Sequence, residues 1–314
     1  MKPLAFLLAL ILAVAASPAA AQAPAPTAAA AAFDPVTADP PRDAAFPARN
    51  RQLLIPSGPV RSELGRPAEM NALFLFAAGE GAKPTMLLLH GLPGNERNLD
   101  LAQAVRRAGW NVLTFTYRGA WGSEGTFSIQ HAIADAAAAL AFLRSDAASR
   151  DFAVDRSRIV VAGHSMGGYI AAHVAANDAG GLAGLVTLDA WNIAASAAEL
   201  KSGGASARAA FVAGFDDIGH ALGPIDAADI ADTLVRRGAE WSLPTLTPRL
   251  RLPVLAVWAS RGLADENRAF AAALRTAHGD SLSPVEIESD HSFADSRIAL
   301  ARTLVAWLAE REAR

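Results

Sequence analysis

The sequence contains no cysteine. That excludes disulfides, thiolate metal sites, iron–sulfur clusters and a cysteine nucleophile, and with them the lipid-bearing cysteine of a bacterial lipoprotein. It also lacks an excess of positive charge. With 28 basic side chains against 31 acidic ones, nothing favours nucleic-acid binding, which needs clustered Lys and Arg. No Gly-x-x-x-x-Gly-Lys or Gly-x-Gly-x-x-Gly phosphate loop occurs, and no His-Glu-x-x-His pattern, so neither a nucleotide cofactor nor a metal is expected. His131 and Asp135 stand four apart on a helix-period stretch, without a third ligand. Apolar side chains are abundant: they make up 52% of the 314 residues, enough for a packed core in one large domain or two small ones.

The amino terminus carries its own pattern. Lys2 precedes an apolar run from Leu4 to Ala16, followed by Ser17, Pro18 and a tract of small residues, the order of a secretory signal peptide. The run is shorter than the ~18 apolar residues that span a bilayer. Ala19 and Ala21 fit an Ala-x-Ala cleavage signal, which assigns 1–21 to export, makes Gln22 the mature start and predicts a periplasmic or secreted protein without a lasting membrane span. Residues 22–50 are dominated by alanine and proline without an apolar period and read as a flexible linker. The folded domain is expected over 51–314.

In that domain short apolar runs predict strands at 73–76, 86–89, 112–117, 159–162, 185–188, 254–259 and 285–287. Helix-period segments fall at 99–108, 133–144, 166–177, 267–277 and 298–309. Apolar strands spaced by helices predict an α/β fold, a mostly parallel central sheet with helices on both faces. Ligands then sit beyond the carboxyl ends of the strands. The interval from about 190 to 250 shows no strand pattern but holds Trp191, Phe211, Phe215 and Trp241; it reads as a mainly helical cap, its aromatic residues lining an acyl pocket or forming the cap's own core.

The strongest motif is Gly163-His164-Ser165-Met166-Gly167-Gly168, which joins a β-rich run to a helical pattern through Gly-x-Ser-x-Gly. Glycines on either side allow a turn so sharp that a Cβ there would clash. The turn lifts the Ser165 hydroxyl to the mouth of the sheet and leaves the Met166 amide free to hold an oxyanion. The competing reading is a serine that only caps a helix. Two further segments leave strands into glycine-rich loops: His90-Gly91-Leu92-Pro93-Gly94, where the Leu92 amide is the candidate second oxyanion donor, and Tyr117-Arg118-Gly119-Ala-Trp121-Gly122-Ser123-Glu124-Gly125. Tyr117 either lines the substrate site or packs its loop.

These three segments, in this order, resemble the α/β-hydrolase fold superfamily, with the likeness running from about Leu73 to the C-terminus. The resemblance implies a serine esterase, lipase, thioesterase or peptidase, and the fold alone does not choose among them. The Tyr117 loop and Asp290-His291-Ser292-Phe293 are similar to the prolyl oligopeptidase-related and dienelactone hydrolase-like branches. This chain, however, has no room for a β-propeller and no nucleophilic cysteine.

A serine hydroxyl needs a base. Of the seven histidines, only His291 falls between the last predicted strand and the last helix, where the superfamily also places its base. The acid that orients it has two candidates. The usual superfamily position follows the strand at 254–259, but the sequence there is Ser260-Arg261-Gly262 and the first carboxylate is Asp265. Asp189, at the end of the preceding strand, occupies an accepted alternative position. The reaction expected is acyl transfer from a carboxylic ester, with a small peptidase or amidase as the second reading and a non-catalytic binding protein as the third. The implied partner is a small-molecule ester or short peptide.

Overall fold

The computed structural model of the chain describes residues 33–58, 65–215 and 218–312. The expected signal peptide lies outside the described residues, as does the first part of the linker. Eight strands form one sheet: β1 (Arg49–Pro56), β2 (Glu69–Phe76), β3 (Lys83–Leu89), β4 (Asn111–Phe115), β5 (Val154–His164), β6 (Leu182–Leu188), β7 (Val254–Arg261) and β8 (Leu282–Asp290). Their order is β1-β2-β4-β3-β5-β6-β7-β8. β2 is antiparallel to both its neighbours, and every pairing from β4 to β8 is parallel.

Helices α1 (Leu99–Arg107), α2 (Ile129–Leu143), α3 (Asp146–Phe152), α4 (Met166–Asn177), α8 (Ala264–His278) and α9 (Arg297–Glu312) pack around this sheet, while α5 (Ile193–Ala213), α6 (Ile218–Ala221) and α7 (Ala227–Arg237) belong to the insertion between β6 and β7. The strand period of two divides the core. Met86, Leu88, Val160, Ala162, Val186 and Leu188 face Leu101 and Val105 of α1 and Leu300, Leu304 and Trp307 of α9. The alternate residues Leu87, Leu89, Ile159, Val161 and Leu185 join Ala136 and Leu140 of α2 and Tyr169 and Ile170 of α4 in the second layer. A sheet buried on both faces explains why its strands read as unbroken apolar runs.

All seven strands expected from those runs are present. β1 and α3 were not expected from the sequence. β1 lies at the edge and buries only Ile55; its first four residues are polar and its apolar run is confined to Leu53-Leu54-Ile55. α3 is short and is started by Ser145, whose side chain accepts the Ala148 amide.

The segment before β1 is not a free tether throughout. Val36 is buried among the residues of the α1 and α9 layer, Arg107 donates to the carbonyls of Pro35 and Val36 at 2.6 and 3.2 Å, and Arg302 pairs with Asp34. Two arginines on the body thus hold a stretch whose composition alone reads as linker.

The cap is helical, with no strand among its described residues. Asp226 and Asp229 form a reciprocal capping box at the start of α7, and α5 kinks at Gly204, whose φ is 56°. Trp191 and Trp241 are buried, and the Phe211 and Phe215 rings lie tilted at 43° with centroids 4.9 Å apart, all within the larger apolar layer. No described helix is long and apolar enough to cross a membrane.

Candidate active site

β5 delivers Ser165 directly into α4. Ser165 takes φ 57° and ψ −122°, a left-handed backbone that residues other than glycine rarely adopt. A Cβ at Gly163 would run into the Gly167 carbonyl, so the motif's glycines are what let the turn close. The serine makes no side-chain cap bond to the helix, which leaves its hydroxyl uncommitted. Its backbone is fixed instead: Ser165 N–H donates to Leu188 at 3.0 Å, and Trp191 N–H donates back to the Ser165 carbonyl at 2.9 Å. The elbow is therefore stitched to the residues on either side of Asp189.

Asp189 directly follows β6 and is fully buried. A carboxylate only accepts, so the 2.6 Å contact between His291 Nδ1 and Asp189 Oδ2 is an N–H donated by the imidazole. That bond fixes the tautomer and leaves Nε2 as the lone-pair nitrogen. The carboxylate also takes the amides of Ala259 at 3.2 Å and Leu263 at 3.0 Å. A side chain at Gly262 would collide with it. The end of β7, where Ser260-Arg261-Gly262 supplies no acid, thus forms a cradle of donors around an acid supplied by β6.

Asp265 does not reach the ring. It lies in the first turn of α8 with its side chain 99% exposed and pairs with Arg268 at 3.0 Å. The helix begins too soon after β7 to provide the longer loop that would carry this carboxylate to His291.

His291 is held from a second side. A carbonyl oxygen only accepts, so His164 Nε2 is protonated and donates to the His291 carbonyl at 2.8 Å, while the two rings lie 4.7 Å apart. Burial, together with the neighbouring His291, pushes His164 down to about 4, so it is neutral at physiological pH. The sequence gives no hint of this contact, because His164 and His291 belong to distant elements. Nor does it reveal the clamp beneath. Asn267 takes the Ala190 amide and donates to the Ala190 carbonyl, both at 3.0 Å, while Glu266 accepts the Asn192 amide at 2.7 Å. Burial pushes the Glu266 carboxyl up to about 7 against that hydrogen bond, and the charges of Glu199 and Asp189 add to the rise.

The loop carrying Leu92 abuts the serine: a Cβ at Gly91 would stand 2.9 Å from Ser165 Cβ and 3.4 Å from its Oγ. Met166, the first residue of α4, has an amide with no acceptor inside its helix. Gly91, next to Leu92, thus approaches the hydroxyl, and Met166 follows the serine in the chain. Tyr117 is placed otherwise than as a substrate contact. It is fully buried and its hydroxyl donates to the His90 carbonyl at 3.2 Å, so it braces the Leu92 loop from below. His90 is likewise internal, donating from Nδ1 to the Gly91 carbonyl at 2.7 Å, with burial holding it near 4.

The other histidines lie elsewhere. His131 bonds the Thr126 carbonyl and His278 that of Thr247. Asp135 pairs with Arg118 in the interior rather than with His131. Among the described residues no group of three or more His, Asp or Glu side chains is arranged to hold a metal ion.

Comparison with known proteins fits this architecture. A brefeldin A esterase, described as a bacterial homologue of human hormone-sensitive lipase, superposes with a TM-score of 0.60 at 19% identity, over 85% of this chain and 78% of that one. An esterase from Rhizomucor miehei gives 0.58 at 18% identity, over 85% and 84%. The acylaminoacyl peptidase of Pyrococcus horikoshii gives 0.58 at 13% identity, over 84% of this chain but 42% of that one. At these identities the likeness is one of fold. No curated protein matches the sequence. Residues 86–307, most of the chain, match the model of the Alpha/beta hydrolase family, and the chain belongs to that family.

Proposed function

We propose that this protein is an exported serine hydrolase that cleaves carboxylic esters through an acyl-enzyme. One observation carries the reading: the 2.6 Å bond from His291 to a buried carboxylate, on an imidazole packed against the residue that adjoins Ser165. With Nδ1–H committed to Asp189, His291 Nε2 takes the Ser165 proton as Oγ attacks the ester carbonyl. The amides of Leu92 and Met166 receive the tetrahedral oxyanion. The imidazolium returns its proton to the departing alcohol. A water, deprotonated by the same nitrogen, then releases the acid and restores the serine. Asp189, held by two backbone amides besides the ring, stabilises the imidazolium between these transfers.

The ester preference draws on the esterases among the structural neighbours, and export on the charged, apolar, small-residue order of residues 1–21. A fluorophosphonate probe tests the nucleophile: the wild type is labelled and Ser165→Ala is not. Short-chain nitrophenyl esters beside their amide analogues test the substrate, with esters turned over preferentially. Labelling that persists in Ser165→Ala, or turnover of amides alone, overturns the respective part. Amino-terminal sequencing of protein recovered outside the cytoplasm is expected to start at Gln22.

A further inference from the structure

A groove of about 550 Å³ lies over the β1–β2–β4 end of the sheet and includes neither Ser165 nor His291. Its floor follows from strand alternation. Gln52 pairs with Leu73 and Leu54 with Asn71 across β1 and β2, and Leu73 continues to Thr114 of β4. These side chains share one face, while Leu53, Ala72 and Phe115 turn to the core on the other. Leu99, Arg97 and Trp121 complete the wall. Four large apolar side chains are exposed among the described residues, and two of them, Leu54 at 54% and Leu99 at 42%, stand in this groove.

Its charge is one-sided. Arg97 is half-buried, its guanidinium lies 4.7 Å from the centroid of the Trp121 ring, and Nε donates to the Gly94 carbonyl at 3.3 Å. No ion pair of Arg97 occurs among the described residues, and no carboxylate lines the groove. The neighbouring acids are spent elsewhere: Glu96 on the Asn98 amide, Asp100 on Arg297 and Glu124 on Arg66. A partly desolvated guanidinium with free terminal N–H groups favours a planar anion that takes two parallel hydrogen bonds, which is what a carboxylate offers. The leucines beside it suit an unbranched apolar tail, and the volume is that of a small-molecule site.

We propose that this groove is a binding site for a free monocarboxylate with a short aliphatic tail, its carboxylate on Arg97 and its tail over Leu54, Leu73 and Leu99. The site adjoins the catalytic loop without being part of it. Trp121 donates from Nε1 to the Pro93 carbonyl at 2.8 Å and from its backbone to Ala221 of the cap at 2.7 Å. The assignment stands whether or not Ser165 is a nucleophile.

Calorimetric titration of the full chain with octanoate, with octanol as the uncharged control, tests it. Saturable octanoate binding is expected, with octanol at least about tenfold weaker, the loss of one charge-assisted contact. Arg97→Gln removes the cation, and Leu54→Glu, at an exposed position that leaves the core untouched, places a carboxylate opposite it. Each is expected to weaken octanoate by about tenfold or more, while His291→Ala leaves it unchanged. Thermal melts of both groove variants establish that they are folded, and Leu54→Glu decides the matter should Arg97→Gln disturb its loop. The proposal is overturned by no saturable binding below the micelle threshold of octanoate, by octanol binding as well as octanoate, or by binding that ignores Leu54→Glu. Loss in His291→Ala alone would place the acid at the Ser165 cluster and overturn it too. Fluorophosphonate labelling is read separately, so failure here is distinct from failure of the hydrolase reading.

Discussion

Two carboxylates among the described residues are fully buried, and their surroundings differ. Asp135, on α2, accepts the Arg118 amide at 2.9 Å and its Nε at 2.7 Å. Asp189, at the end of β6, accepts two backbone amides and the ring of His291. The hydrogen-bonding logic is the same: backbone donors satisfy part of the carboxylate and one side chain the rest. The partners differ in kind. A guanidinium is charged at every accessible pH, so Asp135–Arg118 is a permanent rivet that fixes the loop after β4. An imidazole is charged only when it holds a second proton, so in the reaction proposed above Asp189–His291 changes its net charge within a turnover. Identical burial serves rigidity in one place and, in the proposed reaction, proton transfer in the other.

The largest effect that separates them lies in rate. Asp189→Asn is expected to lower acylation of a nitrophenyl ester by about 10⁴-fold, as the same change does in a serine protease triad, while Asp265→Asn leaves it unaltered. Equal losses in both variants would dissolve the distinction. Next comes stability. Asp135→Ala leaves the Arg118 charge buried without its partner and is expected to cost about 3–5 kcal/mol in urea denaturation, with the folded fraction still labelled by fluorophosphonate.

A smaller effect sharpens the account of how the imidazole is held. His164→Ala removes the N–H on the His291 carbonyl and is expected to reduce kcat by about ten- to hundredfold with KM little moved. His164→Gln, whose amide reaches for the same carbonyl, recovers part of the loss. A uniform rise in KM would instead assign His164 to substrate binding.

The smallest is a change of slope with pH. Glu266 ionises at about 7 in the folded protein and near 4.5 when unfolded. Between those values the unfolded chain carries fewer protons, so this residue makes stability fall as pH rises through the window. Glu266→Gln removes the contribution, and its stability relative to wild type is expected to climb from about pH 4.5 to about 7 in parallel denaturation curves. A difference that stays flat would remove Glu266 from the buried charges around Asp189.

Sequence patterning revealed the sheet because a doubly covered parallel strand must be apolar throughout. It missed β1, whose open face lets it be polar, and it passed over the packing of Val36, which depends on arginines seventy and more positions away. At the site, the Gly-x-Ser-x-Gly turn was legible because its requirement is local: crowded backbone demands glycine. The choice between Asp189 and Asp265 was not, since it depends on which strand ends are neighbours. Leu188 lies opposite Val257, so the tip of β6 falls beside the turn that follows β7. Ser260-Arg261-Gly262 looked like a missing acid and is a turn whose flanking amides, those of Ala259 and Leu263, hold Asp189. Asn267, Glu266 and His164 act through bonds to backbone groups, for which side-chain identity leaves no spacing rule.

Asn192 joins two points far apart in the chain: its amide is taken by Glu266, and its Oδ1 accepts the Leu243 amide at 3.1 Å. The intervening stretch is a detour whose two feet are pinned together through Asn192 and by the Ala194 amide on the Trp241 carbonyl at 3.2 Å. Residues 192 and 243 are therefore the splice points at which such a detour is expected to be exchangeable. For the reaction proposed above, changes made within this detour are expected to leave Ser165, Asp189 and His291 where they stand.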